Sequence, residues 1–226
     1  GSHIVVGTPG RVMDHIRRKS LKLEQLKMVV LDEADEMLNM GFREDIETIL
    51  KATPDDRQTI LFSATMPKEI LDITNNYQKN PELIKIKNKQ MTVDSIEQRF
   101  YLVDKNKKKS ATALLLRYYR PKLAIIFCNT KRMVDELVDF LGKNKFLAQG
   151  LHGDVKQQQR TNVMNQFKKG TFNILVATDV AARGIDVEGL THVINYDLPV
   201  EKEAYVHRIG RTGRAGSKGK AISLVN

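Results

Sequence analysis

The chain has 226 residues, 41% of them hydrophobic and 28% charged, which is the composition of a folded globular protein with one large or two small domains. Its longest unbroken apolar run, residues 123–128, is far too short to span a bilayer, so no membrane segment is expected. The single cysteine excludes an internal disulfide and favours a cytoplasmic location, and the formal net charge of +10 favours a polyanionic partner.

Short apolar runs alternate with helix-like segments along the whole chain. In the first part they predict strands at residues 4–6, 28–31 and 59–62 and a weaker one at 83–86, since short apolar runs bounded by turn residues are typical of buried strands. In the second part the predicted strands are residues 98–103, 123–128, 147–151, 174–177, 193–196 and 221–225. Such alternation predicts an α/β fold with a mostly parallel sheet.

Local patterns between the strands give finer predictions. A helix with one apolar face is indicated by the spacing i, i+3, i+4 and i+7 of Val134, Leu137, Val138 and Leu141. Asp154 is predicted to cap the next helix, with Gln157 as its reciprocal partner. Cys128 lies in an apolar run and is predicted to be a buried core residue. The run Lys107-Lys108-Lys109 is interpreted as a solvated surface.

Composition and charge divide the chain into two unequal parts. Residues 1–3 resemble the remnant of a tag, residues 4–86 form a first domain with few strands, and the polar, basic residues 87–95 form a linker. Residues 96–226 contain enough predicted strands for a complete second domain. This second part carries 23 Lys and Arg against 12 Asp and Glu, so it is the part expected to bind the polyanion.

The tetrad Asp32-Glu33-Ala34-Asp35 follows the predicted strand at residues 28–31. In a parallel sheet the carboxyl ends of the strands border the ligand crevice, and carboxylates there can hold Mg²⁺ and orient a water against a phosphate. The competing interpretation is an acidic helix N-terminus, which the helix dipole favours. No Gly-x-x-x-x-Gly-Lys-Ser/Thr loop, which would grip the phosphate, occurs in the sequence.

Seven motifs follow one another along the chain: Thr8-Pro9-Gly10-Arg11, Asp32-Glu33-Ala34-Asp35, Ser63-Ala64-Thr65, Ile126-Phe127-Cys128-Asn129-Thr130, Gln157 with Arg160, Ala177-Thr178-Asp179 through Arg183-Gly184-Ile185-Asp186, and His207-Arg208-Ile209-Gly210-Arg211-Thr212-Gly213-Arg214. In this order they resemble the motifs of a bacterial-type DEAD-box ATP-dependent RNA helicase, over essentially the whole chain. The resemblance implies tandem RecA-like parallel-sheet domains that bind ATP and single-stranded RNA across their cleft. The first domain is incomplete, because the family's P-loop part would precede Ile4, and the second is essentially complete.

The resemblance also implies roles in ATP hydrolysis. Asp32 would hold Mg²⁺, largely through water, and Glu33 would orient the attacking water. Arg211 and Arg214 would act as arginine fingers on the bound ATP, because a guanidinium suits the oxygens of a transferring phosphoryl group. The other implied positions are coupling residues, Asp35, Ser63, Thr65 and His207, and further ATP-binding residues, Gly184 and Asp186.

RNA contacts are implied along the sugar–phosphate backbone, at Pro9, Gly10, Arg11, Thr130, Gly153, Arg160 and Thr178. Glycine permits close approach of a phosphate, hydroxyl groups donate to it, and arginine neutralises it. The sequence has no Trp and no cluster of aromatic residues for base stacking. We therefore expect RNA to be bound with little sequence preference, whether single-stranded or duplex.

Several of these residues also have local interpretations. Backbone hydrogen bonding after a strand would account for Ser63 and Thr65, and a helix C-terminus would account for His207. The remaining local interpretations are a turn cap for Asp186, surface charges for Arg11 and Arg160, and a structural salt bridge for Arg208.

The predicted function is that of an ATP-dependent RNA helicase, which couples ATP hydrolysis to local unwinding of RNA duplexes or remodelling of RNA–protein complexes. Because the P-loop is missing, we expect the chain to be inactive by itself and its first domain to have unpaired sheet edges. One alternative is a non-catalytic RNA-binding or protein-interaction fragment. A second alternative is a DNA helicase of the wider superfamily, which the acidic tetrad disfavours.

Overall fold

The computed structural model describes residues 2–85, 95–182, 185, 187–213 and 218–226. Its contacts divide the chain into two compact units, Gly1–Ile86 (unit 1) and Lys87–Asn226 (unit 2). Of the predicted linker, residues 87–95, only Ser95 falls within the described residues. No helix in these described ranges is both long enough and apolar enough to cross a membrane.

Unit 1 has a small parallel sheet with helices packed against it. Its elements are α1 (Pro9–Arg17), β1 (Met28–Leu31), α2 (Ala34–Asn39), α3 (Arg43–Lys51), β2 (Gln58–Leu61) and α4 (Lys68–Tyr77). Strands β1 and β2 pair in parallel, with Leu31 opposite Leu61. The core forms because α3 and α4 each turn one apolar face inward, and the side chains buried there are Ile46, Leu50, Ile70 and Ile73.

Two strand predictions in unit 1 are wrong. Residues 4–6 form no strand, and their side chains are 81%, 56% and 92% exposed. Leu83 and Ile84 also lie outside any strand and are exposed, while Ile86 lies outside the described residues. A short apolar run becomes a strand only where a neighbouring strand accepts its backbone hydrogen bonds, and neither run has such a neighbour within the described residues.

Unit 2 is built on a six-stranded parallel sheet with the order β3-β8-β7-β4-β6-β5. Its elements are β3 (Ile96–Leu102), a 3₁₀ turn (Lys105–Lys107), α5 (Lys108–Tyr119), β4 (Ala124–Phe127), α6 (Lys131–Lys143), β5 (Ala148–Leu151), α7 (Gln157–Lys168), β6 (Ile174–Ala177), α8 (Asp179–Ala182), β7 (His192–Asn195), α9 (Lys202–Ile209) and β8 (Gly219–Val225). The predicted α/β class with parallel sheets is confirmed, and each of the six strands predicted in this part overlaps an observed one.

The sheet of unit 2 is covered on both faces, which explains why its central strands are continuous apolar runs. One apolar cluster contains Phe127, Phe167 and Leu175, and another contains Ile126 and Leu137. The predicted apolar helix face is confirmed by α6, where Val134, Leu137 and Leu141 are fully buried. Cys128 is also fully buried, as predicted, and burial raises the pKa of its thiol well above the usual value.

Two local predictions in unit 2 are wrong. Helix α7 begins at Gln157 with Lys156 in the capping position, and the Asp154 carboxylate instead accepts a hydrogen bond from Lys131 Nζ at 2.6 Å. Lys108 is not solvated, since only 6% of it is exposed. In both cases a contact between distant segments determines where the side chain lies.

Candidate functional site

The acidic tetrad lies at the carboxyl end of β1, where the chain turns into α2. Asp32 and Glu33 are both exposed, and the Glu33 backbone N–H donates to Asp32 Oδ1 at 3.0 Å. Glu33 has φ 51° and ψ 45°, in the left-handed region, which is costly for a residue with a Cβ and is concentrated at functional sites. The turn is held by the Ala34 backbone N–H, which donates to the Phe62 carbonyl oxygen at 3.1 Å.

Asp35 joins the tetrad to the Ser63-Ala64-Thr65 motif on the neighbouring strand end. Its side chain is 5% exposed, and its Oδ2 accepts from the Thr65 backbone N–H at 2.9 Å and from the Thr65 hydroxyl at 2.7 Å. Ser63 Oγ donates to the Thr65 carbonyl oxygen at 2.6 Å. Burial alone would raise the pKa of Asp35, but hydrogen bonds from Thr65, Ser63 and the Glu36 backbone outweigh burial and lower it. The three predicted coupling residues of unit 1 therefore form one hydrogen-bonded group.

The first predicted RNA-contact motif lies on the first turn of α1. Pro9 is buried at the start of the helix, a position that suits its fixed φ, whereas Gly10 and Arg11 are exposed. The Arg11 guanidinium lies 3.6 Å from the Asp14 carboxylate, with 70% of the arginine side chain exposed. This pairing is that of an ordinary surface charge, so the geometry leaves the local interpretation of Arg11 in place.

Three predicted RNA contacts of unit 2 follow adjacent strands and so lie on one edge of the sheet. Thr130 follows β4, Thr178 follows β6 and Gly153 follows β5. The Cys128 backbone N–H donates to the Ala177 carbonyl oxygen at 3.0 Å, and the Thr178 N–H donates to that of Leu151 at 3.3 Å. These bonds extend the strand pairing into the loops, so the loops are side by side at the carboxyl edge.

Two of the predicted RNA contacts also have structural partners that the sequence did not indicate. Thr130 caps α6, where its Oγ1 accepts from the Met133 backbone N–H at 3.2 Å, and its hydroxyl hydrogen is left to donate elsewhere. Arg160 is half-buried on α7, and its guanidinium donates to the Ala181 carbonyl oxygen at the end of α8. Arg160 therefore does more than add a surface charge.

Helix α9 carries the start of the arginine-rich motif. It ends at Ile209, as the two following glycines predict, and leaves His207 exposed in its last turn. Beyond it, Arg211 Nη1 donates to the Ile185 carbonyl oxygen at 3.0 Å. The predicted ATP-binding residues Gly184 and Asp186 and the predicted second arginine finger Arg214 lie outside the described residues.

Arg208 is buried, and only 2% of it is exposed. Its Nε and Nη2 donate to the two carboxylate oxygens of Asp179, both at 2.6 Å, in the bidentate geometry that suits a guanidinium. Nη2 also donates to Asn129 Oδ1 at 2.9 Å. Nη1 donates to the Asp197 carbonyl oxygen at 2.5 Å and to Asn195 Oδ1 at 3.3 Å. The interpretation of Arg208 as a structural salt bridge is thus confirmed.

The partners of Arg208 were missed by the sequence analysis. Asn129, Asp179 and Asp197 each lie two residues after the end of a buried strand. A polar residue at a strand's carboxyl end is a signal for an edge contact, but it does not identify the partner. That partner, Arg208, lies between 11 and 79 residues away in sequence.

Comparison with known protein families gives two matches that together span most of the chain. The sequence model of the DEAD/DEAH box helicase family matches residues 1–73. The model of the helicase conserved C-terminal domain matches residues 106–216. The first match includes the acidic tetrad, and the second includes the strand-end loops and Arg208.

Similar proteins and structures agree with these matches. The ATP-dependent RNA helicase CshA of Listeria monocytogenes is 56% identical over 98% of this chain, and the CshA of Geobacillus kaustophilus is 55% identical over 99%. The chain spans 43% and 48% of these two relatives, less than half of their length.

Among solved structures, Saccharomyces cerevisiae Dbp5 bound to RNA and ADP BeF₃ has a TM-score of 0.87 and 34% identity, covering 100% of this chain and 60% of that one. A DEAD box protein of Methanococcus jannaschii is 49% identical with a TM-score of 0.55, covering 100% of this chain and 61% of that one. With its motifs, its parallel-sheet fold and both family matches, the chain belongs to the DEAD-box helicase family.

Proposed function

We propose that the chain is part of an ATP-dependent RNA helicase and that unit 2 binds the sugar–phosphate backbone of RNA. The observation that carries this proposal is the row of strand-end loops holding Thr130, Gly153 and Thr178 on one sheet edge. Hydroxyl groups and exposed backbone on a rigid edge suit phosphate oxygens. The positive excess of residues 96–226 and the RNA bound by the similar Dbp5 structure support the same ligand.

In this proposal the acidic tetrad serves ATP hydrolysis. Glu33 orients the attacking water, Arg211 and Arg214 contribute positive charge to the bound ATP, and Gly184 and Asp186 are the other proposed ATP-binding residues. Asp32 fits a Mg²⁺ site, because it presents exposed carboxylate oxygens and Mg²⁺ keeps most of its waters and needs only one or two carboxylates. When bound, the ion would neutralise charge on the phosphates. The proposed location is the cytoplasm, where a lone cysteine stays reduced.

RNA binding by the whole chain is expected to be salt-sensitive. Anisotropy of a fluorescein-labelled 12-nucleotide oligouridine should show an affinity that falls about tenfold between roughly 50 and 200 mM KCl, because phosphate contacts release counterions. Thr178→Ala should weaken binding about five- to tenfold through loss of one phosphate contact. The matched control is Thr171→Ala, an exposed threonine that precedes the same strand, β6, at its other end, and it should bind like wild type.

The same titration separates the alternatives. A DNA oligonucleotide of equal length that binds as tightly as RNA would favour the DNA helicase alternative. Binding that ignores salt, or that Thr178→Ala leaves unchanged, would contradict the proposed RNA site and favour a protein-interaction fragment.

ATP turnover by this chain alone is expected to be at background level. The sequence contains no loop of the Gly-x-x-x-x-Gly-Lys-Ser/Thr type, whose amides and lysine hold the β- and γ-phosphates. Phosphate release measured with and without RNA should be the same for wild type and for Glu33→Gln. RNA-stimulated release that disappears in Glu33→Gln would show that the chain hydrolyses ATP without a P-loop.

A further inference from the structure

Lys108 is a buried lysine within a run that is otherwise basic surface. It is the first residue of α5, with 6% of it exposed. Its Nζ donates to the Tyr196 carbonyl oxygen at 2.9 Å, lies 3.6 Å from Asp197 Oδ1 and sits 5.5 Å from the centre of the Tyr196 ring. Lysine is almost never buried to this extent without a partner, so the position of Lys108 is set by the segment that follows β7.

Asp197 connects Lys108 to the loop after β4. Its Oδ2 accepts from the Asn129 backbone N–H at 3.1 Å, while the Asn129 side chain donates to the Leu198 carbonyl oxygen at 3.0 Å. Asn129 directly precedes Thr130, a proposed RNA contact. The ammonium group of Lys108 is therefore linked through the Asp197 carboxylate to Asn129, the residue next to Thr130.

The same carboxyl edge is held from its other side by Arg208. That guanidinium contacts the Asn129 side chain and the Asp179 carboxylate, and Asp179 directly follows Thr178. Lys108, Asn129, Asp179, Asp197 and Arg208 thus form one polar group, which we call the strand-end cluster. It holds the backbone beside Thr130 and Thr178, and its two cationic members, Lys108 and Arg208, are both buried.

We propose that Lys108 is a positioning residue for RNA binding: it fixes Asp197, and through Asp197 and Asn129 it fixes the backbone that presents Thr130. The inference rests on the proposed RNA-binding function of unit 2. Lys108 itself does not contact a phosphate, because its ammonium is buried against Tyr196 and Asp197.

The test is Lys108→Met in the full chain, with the labelled 12-nucleotide oligouridine as probe. Affinity should fall about five- to tenfold, while the slope of log affinity against log salt stays the same, because no phosphate contact is removed. In a Thr130→Ala background the same change should have little further effect, because the two residues act through one loop. The matched control Lys107→Met removes a 71%-exposed lysine paired with Asp104 at 2.9 Å and should stay within about twofold of wild type.

A second measurement does not depend on RNA. Hydrogen exchange at the Asn129 amide should be faster in Lys108→Met than in wild type, because Asp197 is no longer held as its acceptor. Should Lys108→Met fail to fold by circular dichroism, Asp197→Asn removes the opposite charge of the same ion pair at nearly constant size and should give the same losses of affinity and of amide protection.

Each outcome decides between the claims. If wild type binds no RNA, the proposed function fails and the role of Lys108 fails with it. If wild type binds and Lys108→Met binds equally well, the positioning role is wrong although the function stands. A shallower salt slope in Lys108→Met would make Lys108 a direct phosphate contact, and full additivity with Thr130→Ala would make it a purely structural residue. Either result overturns the proposal.

Discussion

Replacing Arg208 with methionine is expected to lower the free energy of unfolding of unit 2 by about 2–3 kcal/mol, because the buried Asn195 side chain is left without this donor and the Asp179 carboxylate, 38% exposed, keeps only its solvent contacts. The Asp179 carboxylate loses both of its guanidinium bonds, and Asn129, Asn195 and the Asp197 carbonyl oxygen each lose a donor. The guanidinium also lies 5.0 Å from the centre of the Phe127 ring, a contact that methionine replaces only in part. A loss of this size is a large fraction of a domain's stability.

The single cysteine gives a probe that reports on unit 2 alone. Cys128 is fully buried there, so its thiol reacts with a labelling reagent only when unit 2 opens. Urea titrations read by thiol labelling should show a clearly lower midpoint for Arg208→Met than for wild type. The matched control is Arg132→Met, which removes an 88%-exposed arginine paired with Glu136 at 2.8 Å and should cost less than about 0.5 kcal/mol. Equal midpoints for Arg208→Met and Arg132→Met would show that the hydrogen bonds of Arg208 contribute no net stability.

Strand predictions are confirmed where the run has a neighbouring strand to pair with. The run at residues 174–177 matches β6 without a shift, and those at 123–128 and 221–225 differ from β4 and β8 by one or two residues at their ends. These strands lie in a sheet covered on both faces, so apolarity alone identifies them. Residues 4–6 are equally apolar but form no strand. Their apolarity alone does not reveal whether a neighbouring strand is present to pair with them.

In the candidate site, local sequence predicts where residues lie along the chain, but it does not predict their contacts with distant segments. Placing Asp32, Glu33, Thr130 and Thr178 after strands needs only the order of residues along the chain. Pairing Asp35 with Thr65, 30 residues away, requires that β1 and β2 be neighbours. The burial of Lys108 among surface lysines depends on Asp197, which is 89 residues further along the chain. The sequence pattern identifies the edge of the sheet, and the tertiary fold selects the partners on it.

The strongest local effect in unit 1 is expected at Asp35. Asp35→Ala should lower the free energy of unfolding of unit 1 by about 2–4 kcal/mol at pH 7, since Thr65 loses a charged acceptor for both its backbone N–H and its hydroxyl, and a hydrogen bond to a charged group contributes about 1.5–3 kcal/mol. Hydrogen exchange of the β1 and β2 amides in a urea series measures this loss without interference from unit 2. The control Asp32→Ala removes an exposed carboxylate on the same turn and should change stability by less than about 0.5 kcal/mol.

The difference between wild type and Asp35→Ala should also depend on pH with a definite sign. The pKa of Asp35 in the folded unit lies below the ordinary value of 3.8, because hydrogen bonds from Thr65 outweigh burial. A carboxyl group with a lowered folded pKa stabilises the folded state above its unfolded pKa, and this contribution is lost as the pH falls through the folded pKa. The stability difference should therefore be constant from pH 7 down to about pH 5 and shrink only below about pH 4. A difference that grew on acidification would mean that burial, and not Thr65, controls the Asp35 carboxylate, and the link between the acidic tetrad and the Ser63-Ala64-Thr65 motif would then weaken the fold instead of supporting it.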